Sequence, residues 1–420
     1  MSSWAIGFRD KEEKVFLRKG VIMKFFSMKL LALLSVAMVV YSAPAISANV
    51  PAIAASFPEV DAVYVGLLTT IPSLFILLGI FTTSMIEKRI GKKYTMVTGL
   101  VIVAVFGTLP AWYQGSFPVL FLSRGILGFG IGLFNRLAIQ MISLLFQNEP
   151  QKKAKALGLE SAVGGLGGIF MTLLVGQLVK ISWEMSFLVY GFALISLFFV
   201  QLFIPNETQA VTNEMLLANV TVSKERKQRS FVLGVLLFLI VVLFINYNLQ
   251  ITPLLLEKGI GDATEGSNMI AAIATGAFIA GNAFGLIYSR LHRWLLPIAA
   301  LLAGSSIYLT YPLQTVGLLL GCSLLLGFAF RSIMPFFTHL LTTGGEAEAK
   351  FGTIVSIVAY NLGVTLAPYA SRLLILVSGN ETAGMQMILS GGLLVMIGIV
   401  SVIGNRYFLY FERGTAEELG

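Results

Sequence analysis

One cysteine and two histidines in 420 residues set the first limits. Cys322 alone cannot form an internal disulfide, and two histidines cannot supply a usual metal cluster. No His-Glu-x-x-His run occurs, and the glycines at 130–132 are followed by no phosphate-loop lysine. The sequence therefore predicts no enzyme, no metal site and no cofactor. Charge is scarce as well. Only 12% of residues are charged against 56% hydrophobic, with a mean hydropathy of +0.85. That leaves too little polar surface for a water-soluble globule of this length. Cys322 reads as a small apolar filler in a helix.

What the chain has instead is long apolar runs. Twelve are near or above the ~20 residues that cross ~30 Å of hydrocarbon as a helix. Their limits are 28–50, 62–86, 94–113, 117–146, 156–179, 184–204, 231–256, 267–289, 294–313, 315–342, 351–377 and 384–410. With the first span leaving the cytoplasm, 23 of the 29 Lys and Arg residues fall on the cytoplasmic side. Lys180, Lys258 and Arg372 fall outside, and Arg124, Arg136 and Arg331 lie within spans. The positive-inside rule thus predicts a multi-pass cell-membrane protein with both termini cytoplasmic. The net charge of +8 needs no nucleic-acid partner. Residues 23–48 also have the look of a signal peptide, with Lys24 and Lys29 before an apolar run that ends in small residues. Cleavage there would leave an odd number of spans, so the first-helix reading is preferred.

The expected organisation is a cytoplasmic tail (1–27), a six-helix half (28–204), a linker (205–230), a second six-helix half (231–410) and a short tail (411–420). The linker carries the basic cluster Lys224, Arg226, Lys227 and Arg229, suited to anionic head groups. Weak internal repetition supports two halves. Residues 79–88 align with 281–290 at a shift of 202, and Gly128-Phe129 with Gly327-Phe328 at a shift of 199.

Arg124 opens a run with Gly128, Gly130 and Gly132 inside an otherwise apolar span. An intramembrane guanidinium is costly and faces a bundle interior or a watery cavity. Glycines one turn apart let a neighbouring helix approach closely. This run resembles the arginine-glycine signature on the fourth helix of the major facilitator superfamily, often found in proton-coupled members. Ser84 to Lys93 resembles the family's cytoplasmic loop motif through Glu87, Arg89, Gly91 and Lys92. It departs from that motif with Ser84 for a glycine and Lys88 for the acid. The glycine-rich fifth span, with Gly158, Gly164, Gly165, Gly167 and Gly168, is similar to an exporter helix but lacks that pattern's Gly-Pro pair. Trp183-Glu184-Met185-Ser186-Phe187 resembles a Trp-Arg-x-x-Phe run, and Trp183 by itself reads as an interfacial anchor.

The resemblance covers about residues 28–411 and implies an all-α membrane fold of two six-helix pseudo-repeats around a central cavity. It also implies that spans 1, 4, 7 and 10 line the cavity, with help from 2, 5, 8 and 11. Along them the candidates for substrate or coupling contacts are Arg124, Asn135, Arg136, Glu160, Asn246, Asn248, Arg331, His339 and Asn361. At ~100° per residue Arg136 lies about 120° from Arg124, so the two cannot share one narrow face. Arg124 has two readings, a substrate or coupling contact and a tie from helix 4 to neighbouring carbonyls. Glu160 is expected about one turn inside its span, either as a proton carrier or as the partner of an arginine such as Arg136. His339 could titrate near neutral pH or serve as an interfacial hydrogen-bonding residue. His292 is expected in a short cytoplasmic loop.

Because the deepest charges are arginines, an anionic, zwitterionic or neutral polar substrate is expected over a lipophilic cation. The function expected is secondary transport of a small organic solute by a monomer in the bilayer, coupled to protons and directed outward. Proton symport of an organic anion, or a sensor on the same fold, are the alternatives. The charge asymmetry makes a direct prediction in a Cys322→Ser background. Lys180→Cys and Glu381→Cys should react with an impermeant maleimide on intact cells, whereas Arg89→Cys and Lys227→Cys should react only after permeabilisation. The opposite pattern would invert the topology.

Overall fold

A computed structural model describes residues 28–40, 42–113, 115–147, 149–205, 222–343 and 345–404. The two tails of the expected organisation and most of its linker lie outside the described residues. Among the described residues, ten helical stretches are long and apolar enough to cross a bilayer. Two of them, Ala62–Trp112 with 51 residues and Ala263–Leu309 with 47, are far longer than one crossing needs. The first is broken at Gly91 (φ 80°, ψ 164°), a backbone region open to glycine alone. Its arms are here α2 (62–90) and α3 (92–112). The second is divided by a 3-10 turn, His292–Trp294, into α8 (Ala263–Leu291) and α9 (Leu295–Leu309). His292 is exposed there with φ 43°.

The remaining helices are α1 (Met28–Ser56), α4 (Phe117–Leu145), α5 (Pro150–Leu178), α6 (Met185–Phe203), α7 (Lys224–Lys258), α10 (Val316–Thr342), α11 (Glu346–Ser378) and α12 (Ala383–Ile403). α1 narrows to a 3-10 stretch over Ala43–Asn49, and α6 opens with another over Met185–Gly191. α7 starts seven residues before the expected boundary of 231. Its cap is Ser223, whose hydroxyl accepts from the Arg226 amide at 3.2 Å. The basic cluster placed in the linker by sequence therefore forms the first turns of a helix.

Helix ends are closed by charge from neighbouring elements as well as by local caps. Asp262 and Glu265 form a capping box on α8. The Glu257 carboxylate accepts from the first amides of α12, Ala383 at 2.6 Å and Gly384 at 3.2 Å. The adjacent Lys258 ammonium donates to the carbonyls of Thr310 and Tyr311 past the end of α9, each at 2.7 Å. Acid at a helix start and base at a helix end both oppose the helix dipole. Arg226 does the same at the end of α10, donating to the carbonyls of Leu340, Leu341 and Thr343.

Contacts at glycine fix how the chain folds. A side chain at Gly128 would run into the backbone of Pro72, and one at Gly132 into Ile76 and Gly79, so α2 and α4 run in the same direction. Gly99 meets Gly130 and Phe134 while Gly107 meets Leu127, so α3 runs the opposite way. The chain thus reverses at Gly91. In the second half Gly327 rests on the Ile273 backbone and Met269 lies by Ser323, which makes α8 and α10 parallel. Gly304 faces Gly391, and Gly398 faces Leu301, so α9 and α12 are antiparallel.

Buried apolar residues form two separate cores. One is drawn from Ala32 to Ile204 and the other from Leu233 to Leu394, joined on the second side by Ala48 of α1. Between them runs a seam of small residues. Gly176 of α5 sits against Ser267 of α8, and Gly66 of α2 against Pro368 of α11. The Thr70 hydroxyl donates to the Thr365 carbonyl at 3.4 Å. Toward the end that holds the Gly91 turn and the start of α7 the seam loosens. Gly165 meets only the Phe278 ring, and Gly158 and Gly285 face open space.

These contacts predict an asymmetric response to added bulk. Gly128→Val and Gly327→Val should each cost about 1–3 kcal/mol or more by overpacking. Gly158→Ala and Gly285→Ala should stay within about 0.5 kcal/mol or gain stability. Thermal unfolding of the purified protein in detergent reads the difference.

Candidate functional site

The three arginines that sequence places inside spans have three different surroundings. Arg124 is fully buried in the core of the first half. Its Nε donates to the Leu68 carbonyl of α2 at 3.0 Å and its Nη2 to the Ala43 carbonyl of α1 at 2.9 Å. The guanidinium lies 5.1 Å from the Tyr190 ring centre and 5.8 Å from that of Phe187. The Tyr190 hydroxyl donates to the carbonyls of Ser42 and Ala43 at 3.2 and 3.4 Å. Both side chains thus converge where α1 gives up regular α-helix for its 3-10 stretch, and where Pro44 supplies no amide. Arg124 faces this junction rather than an open cavity. Tyr190 could not be foreseen as its companion, since the two are 66 positions apart and neither spacing nor periodicity links them.

Arg136 is half-buried, and its Nη1 reaches the Ser84 hydroxyl at 3.4 Å. Ser84 is the position where the loop motif would carry glycine. No ion pair joins Arg136 to Glu160 among the described residues. Glu160 is 8% exposed and makes no hydrogen bond or ion pair there. Because α5 begins at Pro150, six residues ahead of the apolar span read from sequence, Glu160 lies ten residues inside the helix, about three turns. Asn135 is half-buried on α4, and Gly128, Gly130, Gly132, Gly164 and Gly168 are all buried. In the loop motif Glu87 pairs with Lys92 at 3.9 Å across the Gly91 turn, Lys93 donates to the Gln201 carbonyl at 2.8 Å, and Arg89 is exposed.

The candidate amides of the second half are tied into the protein. Asn246 Nδ2 donates to Ser390 of α12 at 2.7 Å, Asn248 to the Phe244 carbonyl at 3.3 Å, and Asn361 to the Ile357 carbonyl at 2.8 Å. One turn beyond Asn246, Gln250 donates to Ser371 at 3.0 Å, and Ser371 to Gln386 at 3.5 Å. The polar residues of α12 escaped sequence reasoning because that span was not expected near the cavity. Their i, i+4 spacing, matched by Asn246 and Gln250, is the signal that was present.

Arg331 and His339 are the candidates that share open space. A cavity of about 500 Å³ is lined by Arg331, Met334, Pro335, Thr338, His339 and Thr342. These fall at i, i+3, i+4, i+7, i+8 and i+11, one stripe of α10. Gly281 of α8 flanks Arg331, and a methyl group added there would come within 3.8 Å of the Arg331 Nε. The Tyr288 ring meets His339 edge-on at 5.3 Å. At the turn before Arg331, Phe330 stacks on Phe244 of α7 with ring centres 3.6 Å apart. Arg124, Arg136, Glu160 and Asn361 are not on this lining. Among the described residues no three His, Cys, Asp or Glu side chains gather to hold a metal ion.

No curated protein sequence matches the chain. The chain is similar in fold to a bacterial homolog of the human lysosomal transporter Spinster. In its inward-facing, unoccupied conformation that protein gives a TM-score of 0.69 at 17% identity, over 92% of this chain and 98% of that one. In its inward-facing, occupied conformation the TM-score is 0.67 at 15% identity, over 91% and 96%. The xylose transporter XylE from E. coli, partially occluded and inward open, gives 0.67 at 15% identity, over 91% and 97%. A family model described as Major Facilitator Superfamily matches residues 25–368. With a matched stretch of that length and the same helical architecture, the chain belongs to the Major Facilitator Superfamily.

Proposed function

We propose that this membrane transporter carries a small organic solute by alternating access between two six-helix halves, exchanging it for protons and moving it outward. Twelve crossings follow if Ala62–Trp112 and Ala263–Leu309 each span the membrane twice, which the chain reversal at Gly91 supports. The parallel pairs α2/α4 and α8/α10, each seated glycine on backbone, support a repeated half. The carrying observation is the graded seam between the two cores. It is tight at Gly176–Ser267 and Gly66–Pro368, and it opens toward Gly158 and Gly285. With both termini cytoplasmic in the plasma membrane, this is a conformation sealed outside and open inside. Two rigid halves rocking over small-residue contacts need little side-chain rearrangement to reverse the opening.

Glu160 supports the proton part of the reading. It is a carboxylate buried inside α5 with no basic partner among the described residues, placed to take up and release a proton as the halves move. Arg124 then acts as a positioning residue that holds the α1 junction, while Glu87, Arg89, Gly91 and Lys92 shape the turn between α2 and α3. Export is supported by the glycine-rich α5, whose flank forms the seam.

In proteoliposomes holding the purified full chain, an imposed proton gradient should drive substrate against its own gradient. Glu160→Gln should cut that proton-driven accumulation by a factor of about 5–150 while leaving substrate exchange in place. Unchanged coupling in this variant would remove Glu160 from the mechanism, and accumulation in the direction of proton flow would replace antiport with symport. The seam gives a second expectation. In a Cys322→Ser background, oxidation of Gly176→Cys with Ser267→Cys should stop transport, and reductant should restore it. Full transport by the cross-linked protein would refute opening at this seam.

A further inference from the structure

A guanidinium within the membrane requires compensation, from protein acceptors, water or an anion. Arg124 has two carbonyls, and Arg136 has the Ser84 hydroxyl. Arg331 is half-buried on α10 with no hydrogen bond or ion pair among the described residues, and it opens on the 500 Å³ cavity. No carboxylate lines that cavity. Glu160 shares the face of α5 that carries Gly164 and Gly167, and Gly167 packs on Met38 of α1. The two threonines do not supply further donors. Thr338 already donates to the Met334 carbonyl at 3.0 Å and Thr342 to the Thr338 carbonyl at 2.7 Å. Donors toward the cavity are therefore the Arg331 fork and the His339 ring, which lie two turns apart on one face. Met334 and Pro335 supply apolar surface between them.

We propose that this cavity selects soluble organic anions, with Arg331 taking a carboxylate or phosphate in its two-pronged fork, His339 contributing a second donor, and an apolar body lying along Met334 and Pro335. The assignment rests on the transport reading above and adds the substrate class to it. An uncompensated positive charge beside partly open space attracts an anion and repels a cation, and a planar fork prefers a flat carboxylate or a phosphate edge. A volume of this size accommodates a drug-sized solute.

The test uses four probes that share one ring system: 2-naphthoate, 2-naphthyl phosphate, 2-naphthamide and 2-naphthylmethylamine. Binding to the full chain in phosphatidylcholine nanodiscs is measured by equilibrium titration. The two anions should bind, and the amide and the amine should bind at least about tenfold more weakly. Arg331→Gln should weaken naphthoate binding by about 10- to 100-fold, Arg331→Lys by less, with elution profile and melting temperature unchanged. Amide or amine binding as tight as naphthoate, no binding of either anion, or Arg331→Gln without effect overturns the anion assignment. None of these outcomes touches the transport reading, which rests on exchange and on the seam cross-link. Phosphatidylglycerol in the nanodisc should leave naphthoate affinity unchanged. A loss of affinity that Arg331→Gln abolishes would assign the site to a lipid head group and overturn the substrate claim.

Discussion

Hydrocarbon offers no hydrogen bonds, so every carbonyl released at a helix break or end must find a donor inside the protein. Much of this structure follows from that requirement. Where α1 leaves α-helical geometry, Arg124 and Tyr190 converge on the carbonyls of Ser42 and Ala43. At the end of α9 the donor is Lys258, at the end of α10 it is Arg226, and the free amides that begin α12 are met by Glu257. In a chain that is only 12% charged, these four charged side chains act where regular helix stops. An ion holding an irregular segment in place also limits how that segment moves, because relocating it requires several bonds to be exchanged together.

The second constraint is distance. Without a hydrophobic drive between helices in lipid, association depends on close packing, and close packing depends on small residues. Gly128 and Gly132 bring α4 onto the backbone of α2, and Gly327 brings α10 onto that of α8. Inside each half these contacts join into a continuous core that resists sliding. Between the halves the small residues are fewer and unevenly placed, so the same chemistry yields a firm interior and a separable seam. The cavity beside α10 is lined by one stripe of that helix, from Arg331 to Thr342.

Much of the fold was legible in the sequence, and for a plain reason. The length of an apolar run is set by bilayer thickness, and the sign of its flanking charge by topology. The Arg124 and Gly128 run, the Gly91 turn and the positions of the spans are local patterns that one pass along the chain can read. Boundaries shifted where capping overrode hydropathy, as when Ser223 started α7 within the basic cluster. The candidate site was legible as a set of residues, not as an arrangement. Nine side chains were singled out as deep and polar, and the structure places them in several surroundings: a sealed core for Arg124, a burial without partner among the described residues for Glu160, hydrogen bonds to the Ser390 hydroxyl and the Phe244 carbonyl for Asn246 and Asn248, and an open cavity for Arg331 and His339.

Sequence alone therefore determined that the chain lives in a membrane, which residues can reach its depth, and which glycines permit helices to touch. Each of those is a property of one helix in a known solvent. Tertiary structure alone decided which arginine is bound to carbonyls and which faces space, because that depends on residues 56 and 81 positions away, Leu68 and Ala43. It also decided that Glu160 stands apart from Arg136, that α12 completes the polar interior of the second half, and that the seam closes at one end and opens at the other. Periodicity reports the face of a helix but not what lies against it, and what lies against it fixes whether a buried charge is a strut or a ligand site.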